Sequence, residues 1–258
     1  MDPTRNTYRI DDQGIARLTI DSGGPLSIIG RATALQLAER LRQLAREPGV
    51  RVVVIEGAGP KTFVGGADIR ELAALKPDTA RDFISALHAM CEAARDLPVP
   101  SLCALPGWCI GVGLELAASC DIRIAAEDAR FVMPEVKIGI PSVIQGAFLS
   151  RLVGEGRARW LMLTGEAIDA PTALAWGLVA EVVPAGALQE RVAHTARALA
   201  ALSPSGLRAQ KRVLRTSEAP HLAEAMRHSI ELFGTAYESQ DPETLMNAFL
   251  ARKNTPGH

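Results

Sequence analysis

The run Gly107-Trp-Cys-Ile-Gly-Val-Gly-Leu-Glu-Leu-Ala-Ala-Ser-Cys-Asp121 decides how this chain folds. Upstream of it lies Pro98-Val-Pro-Ser-Leu-Cys-Ala-Leu-Pro106, an apolar stretch punctuated by proline that reads as a buried strand. Through Gly107, Gly111 and Gly113 the chain enters Leu114-Glu-Leu-Ala-Ala118, whose residues favour helix. Strand, glycine turn and helix start, in that order, bring bare backbone N–H groups close to a ligand. There, unpaired amides and the helix dipole favour developing negative charge. Glu115 stands in the first turn of that helix. A first-turn carboxylate is often only a surface residue answering the dipole. Here Leu114, Leu116 and Ala117 flank it, and an exposed Glu fits less well among them.

Working outward, Tyr8-Arg-Ile10 and Ile15-Ala-Arg-Leu-Thr-Ile20 flank Asp11-Asp-Gln-Gly14 and read as a hairpin. Residues 32–45 place Leu35, Leu37, Ala38, Leu41, Leu44 and Ala45 on one face of an amphipathic helix, ended by Glu47-Pro-Gly49. Val50-Arg-Val-Val-Val-Ile55 has the composition of a strand covered on both faces. It runs into Glu56-Gly-Ala-Gly-Pro-Lys-Thr-Phe-Val-Gly-Gly-Ala-Asp-Ile69, a glycine-dense loop of the kind that binds ligands in α/β proteins. The loop is not a nucleotide-phosphate cradle, since Pro60 precedes Lys61 where that motif needs Gly. Gly111-Val-Gly113 is likewise a poor dinucleotide fingerprint, with Leu116 at the third glycine position.

Residues 78–95 read as helical, and Ile122-Arg-Ile-Ala-Ala126 and Ala129-Arg-Phe-Val-Met133 as short strands. Val136-Lys-Ile-Gly-Ile-Pro-Ser142 reads as a loop, with Ser142 expected to cap the next helix. One strand-like piece remains at Leu178–Val183, and from Leu188 onward the pattern is helical. The expected organisation is therefore an α/β core over residues 1–185 and a helical section over 186–258, with no low-complexity linker between them.

The 258 residues are 48% hydrophobic, enough for a substantial core. With 28 basic and 29 acidic residues, the chain has no global field for nucleic acid or an anionic membrane. The start lacks the basic and apolar segments of a signal peptide, and no apolar run approaches the roughly 20 residues a membrane span needs. A cytoplasmic protein is expected. Cys91, Cys103, Cys109 and Cys120 form no CxxC pair and have no His at ligand spacing, so buried reduced thiols are expected and no metal site is invoked.

Two carboxylates stand out, Glu115 and Glu135, both in apolar sequence surroundings. Burial and mutual proximity would raise at least one carboxyl pKa towards neutrality and suit it to acid–base work. Taken singly, each is more often a buried carboxylate bonded to backbone. If the loops Gly65-Gly-Ala67 and Gly111-Val-Gly113 face each other, one amide from each forms a two-donor oxyanion hole, where one donor is worth about 3–4 kcal/mol in the transition state.

Three segments together carry a resemblance: Phe63-Val-Gly-Gly-Ala-Asp-Ile-Arg-Glu71, Pro106 to Asp121, and Phe131-Val-Met-Pro-Glu-Val-Lys-Ile-Gly139. Leu163-Thr-Gly-Glu166, Ala175-Trp-Gly-Leu-Val179 with Val183-Pro184, and Asn247-Ala-Phe-Leu-Ala-Arg-Lys253 follow in the same order. Over nearly its whole length the chain resembles the crotonase (enoyl-CoA hydratase/isomerase) superfamily. That resemblance implies a spiral of ββα repeats with a helical C-terminal trimerisation region, assembled as a homotrimer or homohexamer.

It also implies a site. The amides of Ala67 and Val112 match the pair that holds the thioester oxygen as it becomes an enolate. Glu115 and Glu135 match the two glutamates of hydratases, which hold and activate a water and deliver a proton to the α-carbon. Gly65 and Gly66, with Asp68 and Ile69 after them, match the loop along coenzyme A. Lys211, Phe249 and Lys253 match C-terminal positions that meet the nucleotide or a neighbouring subunit's ligand, with solvated helix charges and a packed Phe as the plainer reading. The implied activity is reversible hydration of a trans-2-enoyl-CoA, with coenzyme A as part of the substrate and no separate cofactor. Isomerisation of a 3-enoyl-CoA through Glu135, hydrolysis or decarboxylation of an acyl-CoA, and non-catalytic acyl-CoA or RNA binding are the alternatives. Three departures are visible, the first being that Gly24-Pro-Leu-Ser-Ile-Ile-Gly30 lacks the Asn-Ala usual in the family. Val112 stands where the family usually has Gly, and the loop after Glu135 is one residue shorter and lacks the usual Gly-Ala-Gly-Gly.

Overall fold

The computed structural model describes residues 6–75 and 77–217. Its elements are β1 (Tyr8–Ile10), β2 (Ile15–Ile20), α1 (Arg31–Arg46), β3 (Val52–Gly57), β4 (Thr62–Val64), α2 (Ile69–Ala73) and α3 (Pro77–Arg95). They continue as β5 (Ser101–Leu105), β6 (Trp108–Ile110), α4 (Val112–Ala118), β7 (Ile122–Ala126), β8 (Arg130–Val132), α5 (Gly146–Val153) and α6 (Glu155–Thr164). The last are β9 (Ile168–Asp169), α7 (Ala170–Ala175), β10 (Glu181–Val183), α8 (Leu188–Ala200) and α9 (Pro204–Ser217).

Strands β1-β2-β3-β5-β7-β10 form a six-stranded sheet, and β4-β6-β8-β9 a four-stranded one. Apart from the β1–β2 hairpin, the larger sheet is parallel throughout. A parallel sheet must be covered on both faces, and the side-chain alternation of β3 shows how. Val53 and Ile55 point into a core with Leu37, Leu41 and Leu44 of α1 and Phe83, Leu87 and Met90 of α3. Val52 and Val54 point the other way, with Leu102 and Ile124, onto Leu188, Val192 and Ala196 of α8. The helical section expected from residue 186 thus begins with a helix that belongs to the sheet's own core.

Three times in succession a strand of the larger sheet passes directly into a strand of the smaller one: β3 to β4, β5 to β6, β7 to β8. Each of the first two pairs is then followed by helix, which builds the ββα spiral. The sequence pattern predicts a single strand and a glycine turn before α4, whereas β6 intervenes. Three residues are too few to show a period, and Trp108 within them is 43% exposed. What makes β6 a strand is distant in the chain: it pairs with β4 and β8. Gly107 turns the corner with φ +48, and a Cβ there would overlap the Lys61 carbonyl.

Other expectations hold or shift locally. The hairpin and the helices at 32–45 and 78–95 form as read, but Leu35 faces outward and is 42% exposed. Ser142 does not cap a helix; α5 starts later, at Gly146, with Gln145 in the cap position. All four cysteines are buried free thiols. Among the described residues no helix is long and apolar enough to cross a membrane.

Arg123 joins α4 to the sheet. It is 8% exposed, and its guanidinium donates from Nε to the Leu178 carbonyl (2.6 Å) and from Nη1 to the carbonyls of Cys120 (2.6 Å) and Ala117 (3.3 Å). Of these acceptors, the Ala117 carbonyl in the last turn of α4 also accepts from the Cys120 N–H at 3.1 Å. Arg123→Met is expected to cost about 3 kcal/mol by stranding buried acceptors. Urea unfolding should show the midpoint falling at unchanged slope, and an unmoved midpoint would refute the role.

Candidate active site

The second and third repeats meet the loop after β4 around a cavity of about 550 Å3. Its wall includes Gly65, Gly66, Ala67, Val112, Glu115 and Glu135. Residues from three separate parts of the sequence therefore face one space.

Two backbone amides open onto it. Ile29 makes a parallel bridge to Ala67, in which the Ile29 N–H donates to the Gly66 carbonyl (2.9 Å) and the Asp68 N–H to the Ile29 carbonyl (3.0 Å). That pattern uses the groups on either side of Ala67 and leaves its own N–H on the opposite edge. Val112 is the first residue of α4, so its N–H has no carbonyl one turn behind it. Among the described residues neither amide has a hydrogen-bond acceptor. Val112 as a whole is 3% exposed.

Glu115 is 4% exposed, as its apolar neighbours in sequence suggest. Its Oε1 accepts from the Gly146 N–H, the first amide of α5, at 3.0 Å. Burial raises its pKa to about 8; the Gly146 bond pulls downward and the nearby Glu135 pushes further up. Glu135 opens a one-turn 3-10 helix over Glu135–Ile138, and its Oε2 accepts from the Ser142 hydroxyl at 2.9 Å. Burial raises its pKa as well, against the pull of that hydroxyl and its own backbone. Gly111 sits between the carboxylate and the helix start with φ +52, and a Cβ there would run into Glu135 Oε1.

This arrangement can hold a developing oxyanion with two amides while two carboxyl groups of raised pKa move protons beside it. Asp68 caps α2, accepting from the Arg70 N–H at 2.9 Å, and Ile69 next to it is 58% exposed at the rim. A second cavity of about 680 Å3 adjoins the first, sharing Ile69, Leu72, Ile84, Ile138, Ile140 and Val143, so its wall is mainly apolar.

Of the residues singled out in the sequence, Gly65, Gly66, Ala67, Asp68, Ile69, Val112, Glu115 and Glu135 all line the first cavity. Lys211 does not; it is ion-paired with Asp121 at 2.7 Å and lines a different cavity with Arg123 and Arg151. Phe249 and Lys253 lie outside the described residues. The sequence reading did not identify the Gly146 amide or the Ser142 hydroxyl as carboxylate partners. Ser142 carried a signal, but its spacing to the next helical run pointed to a cap.

Comparison with known proteins converges on one family. The family model for enoyl-CoA hydratase/isomerase matches residues 11–256. The short-chain-enoyl-CoA hydratase of Clostridium acetobutylicum is 31% identical over 254 residues, covering 98% of this chain and 97% of that one. A probable enoyl-CoA hydratase of Bacillus subtilis is 34% identical, covering 94% of each chain. Among solved structures, the enoyl-CoA hydratase of Bacillus anthracis superposes with a TM-score of 0.89 at 30% identity, covering 98% of this chain and 99% of that one. DspI of Pseudomonas aeruginosa superposes with a TM-score of 0.91 at 30% identity, covering 100% and 98%.

Proposed function

The chain belongs to the enoyl-CoA hydratase/isomerase family and is an enzyme of the hydratase type, and from that premise we propose that Glu115 and Glu135 add water reversibly to a trans-2-enoyl-CoA. The observation that supports this most is the presence of two carboxyl groups with raised pKa and two unengaged amides around one cavity. The thioester oxygen sits between the N–H groups of Ala67 and Val112, which draw electron density from the double bond. Water held by the glutamates adds through oxygen to the β-carbon. One carboxylate takes a proton from that water while the other gives a proton to the α-carbon, so the product is a 3-hydroxyacyl-CoA and the pair ends with as many protons as it began. The step uses only water and groups of the chain, with coenzyme A entering as part of the substrate. Its arm runs along Gly65, Gly66, Asp68 and Ile69, and the acyl chain points towards the adjoining apolar cavity. A cytoplasmic homotrimer or homohexamer completes the proposal, the assembly resting on the family resemblance and the location on the sequence reading.

The step needs one proton shared by the pair. Burial puts that proton on Glu115 in the free enzyme, since its pKa of about 8 keeps it neutral at pH 7. The dependence of kcat/KM on pH is therefore expected to be bell-shaped, with the alkaline limb near 8, where the shared proton leaves, and the acid limb where Glu135 becomes protonated. A flat profile between pH 6 and 10 would contradict this. Turnover on a panel of 2-enoyl and 3-enoyl thioesters, with products identified by mass, tests the reading itself. Gain of one water on a 2-enoyl substrate is expected. Conversion of a 3-enoyl substrate with no change of mass, and no hydration, would replace hydratase by isomerase.

A further inference from the structure

We propose that Gln145 is a positioning residue for the reaction, holding a strained turn so that the Gly146 amide stays on Glu115. The inference rests on the hydratase reading. Gln145 occupies the cap position of α5, yet its side chain makes no bond to that helix. It is 1% exposed and turned towards α3, where Nε2 donates to Glu92 Oε1 at 2.8 Å and lies 3.1 Å from His88 Nδ1. Glu92 is itself fixed, by Arg95 at 2.9 Å and by Arg215 of α9 at 2.9 Å.

The residue before Gln145 explains the need for such an anchor. Ile144 has φ +43, a left-handed conformation that a β-branched side chain adopts only under strain. Such strain persists only where the surroundings over-determine it, and it gathers at functional sites. On one side of Gln145 the backbone is strained; on the other the very next N–H, that of Gly146, donates to Glu115. The side-chain bonds to Glu92 and His88 are what keep the turn from relaxing, and relaxation would swing the amide away from the carboxylate.

Among the described residues, two titratable groups bear on Glu115, Glu135 and the Cys91 thiol of α3. Burial pushes the Cys91 thiol well above its ordinary value, so the thiol stays protonated across the range and Glu135 is, of these two, the group that shares the titration. The Gly146 bond holds the Glu115 pKa down, so its loss moves the alkaline limb up.

The test is steady-state hydration of a 2-enoyl-CoA by three variants beside the wild type. Gln145→Met keeps volume and removes both bonds. It is expected to lower kcat by about ten- to a hundredfold, the scale set by an ångström of misplacement, with KM little changed and the alkaline limb of kcat/KM displaced upward. Adding Ile144→Gly to Gln145→Met removes the strain itself, since glycine takes positive φ freely, and is expected to return part of the lost kcat. His88→Ala, at an exposed side chain, should shift the limb in the same direction by less, and it decides the matter if Gln145→Met does not fold. An unmoved limb in the folded variants, or a lower kcat that Ile144→Gly does not relieve, would overturn the positioning role and leave the hydratase reading standing. No hydration by the wild type would remove both.

Discussion

Glu115→Gln is expected to lower kcat for hydration by about 10²–10⁴-fold, the usual contribution of a positioned acid or base, and at the same time to stabilise the protein in alkali. The carboxyl is 4% exposed, and its pKa moves from an ordinary 4.5 to about 8 on folding. Between those values the folded chain binds more protons than the unfolded chain, so the wild type loses stability as pH rises through that window. Glutamine cannot ionise, and its Oε1 can still accept from Gly146. The variant should match the wild type near pH 5 and exceed it by a few kcal/mol above pH 8, since each tenfold change in proton affinity on folding is worth about 1.4 kcal/mol. Chemical unfolding at pH 5.5 and 8.5 reads the difference directly. A stability gap that stays constant with pH would show that Glu115 is not held neutral by the fold.

Gly111→Ala is expected to abolish turnover, with a loss of about 10³-fold or more in kcat/KM, because one methyl group disturbs both halves of the chemistry. Gly111 sits at φ +52 and ψ −117, a conformation open in practice only to glycine. Its N–H donates to the Val132 carbonyl at 2.9 Å, and its carbonyl accepts from the N–H groups of Leu114 (2.8 Å) and Glu115 (3.1 Å). It therefore anchors the start of α4, where the Val112 amide is presented. A Cβ would press on Glu135 Oε1, while relief by rotation of the backbone would turn the Val112 N–H out of the cavity. A folded variant, judged by circular dichroism, should still fail to hydrate substrate. Turnover within a few-fold of wild type would mean that Glu135 and the Val112 amide are less tightly placed than these contacts require.

Composition and periodicity made the α/β class legible, because α1, α3 and β3 each bury a face long enough to show its spacing. The two carboxylates were legible for a similar reason: each stands among apolar residues where a charge is costly, and the ordered glycine motifs placed them in a family. The smaller sheet was not legible. Its strand β6 has three residues and depends on partners in β4 and β8, so nothing within it distinguishes strand from turn. The support around Glu115 was hidden by distance, since Gly146 lies 31 residues further on and meets it only after α3, α4 and α5 have packed. Gln145 was hidden by a different cause. A glutamine in a helix-capping position has no local role that predicts a bond to a helix more than 50 residues earlier.

The bridge between Ile29 and Ala67, together with the position of Val112 at the head of α4, has a consequence for mutational scanning. Both amides on the cavity belong to the main chain, so replacing the side chain of residue 67 or of residue 112 would leave each of them in place. If the proposed roles hold, an alanine scan would record the glutamates and pass over positions 67 and 112, where a changed side chain would mean little so long as the strand bridge and the helix start survive. A change to the peptide unit itself, proline or an ester in place of the amide, would test them directly. At these two positions it is the fold, through a strand bridge and a helix start, that places the amide, and the side chain has no part in it.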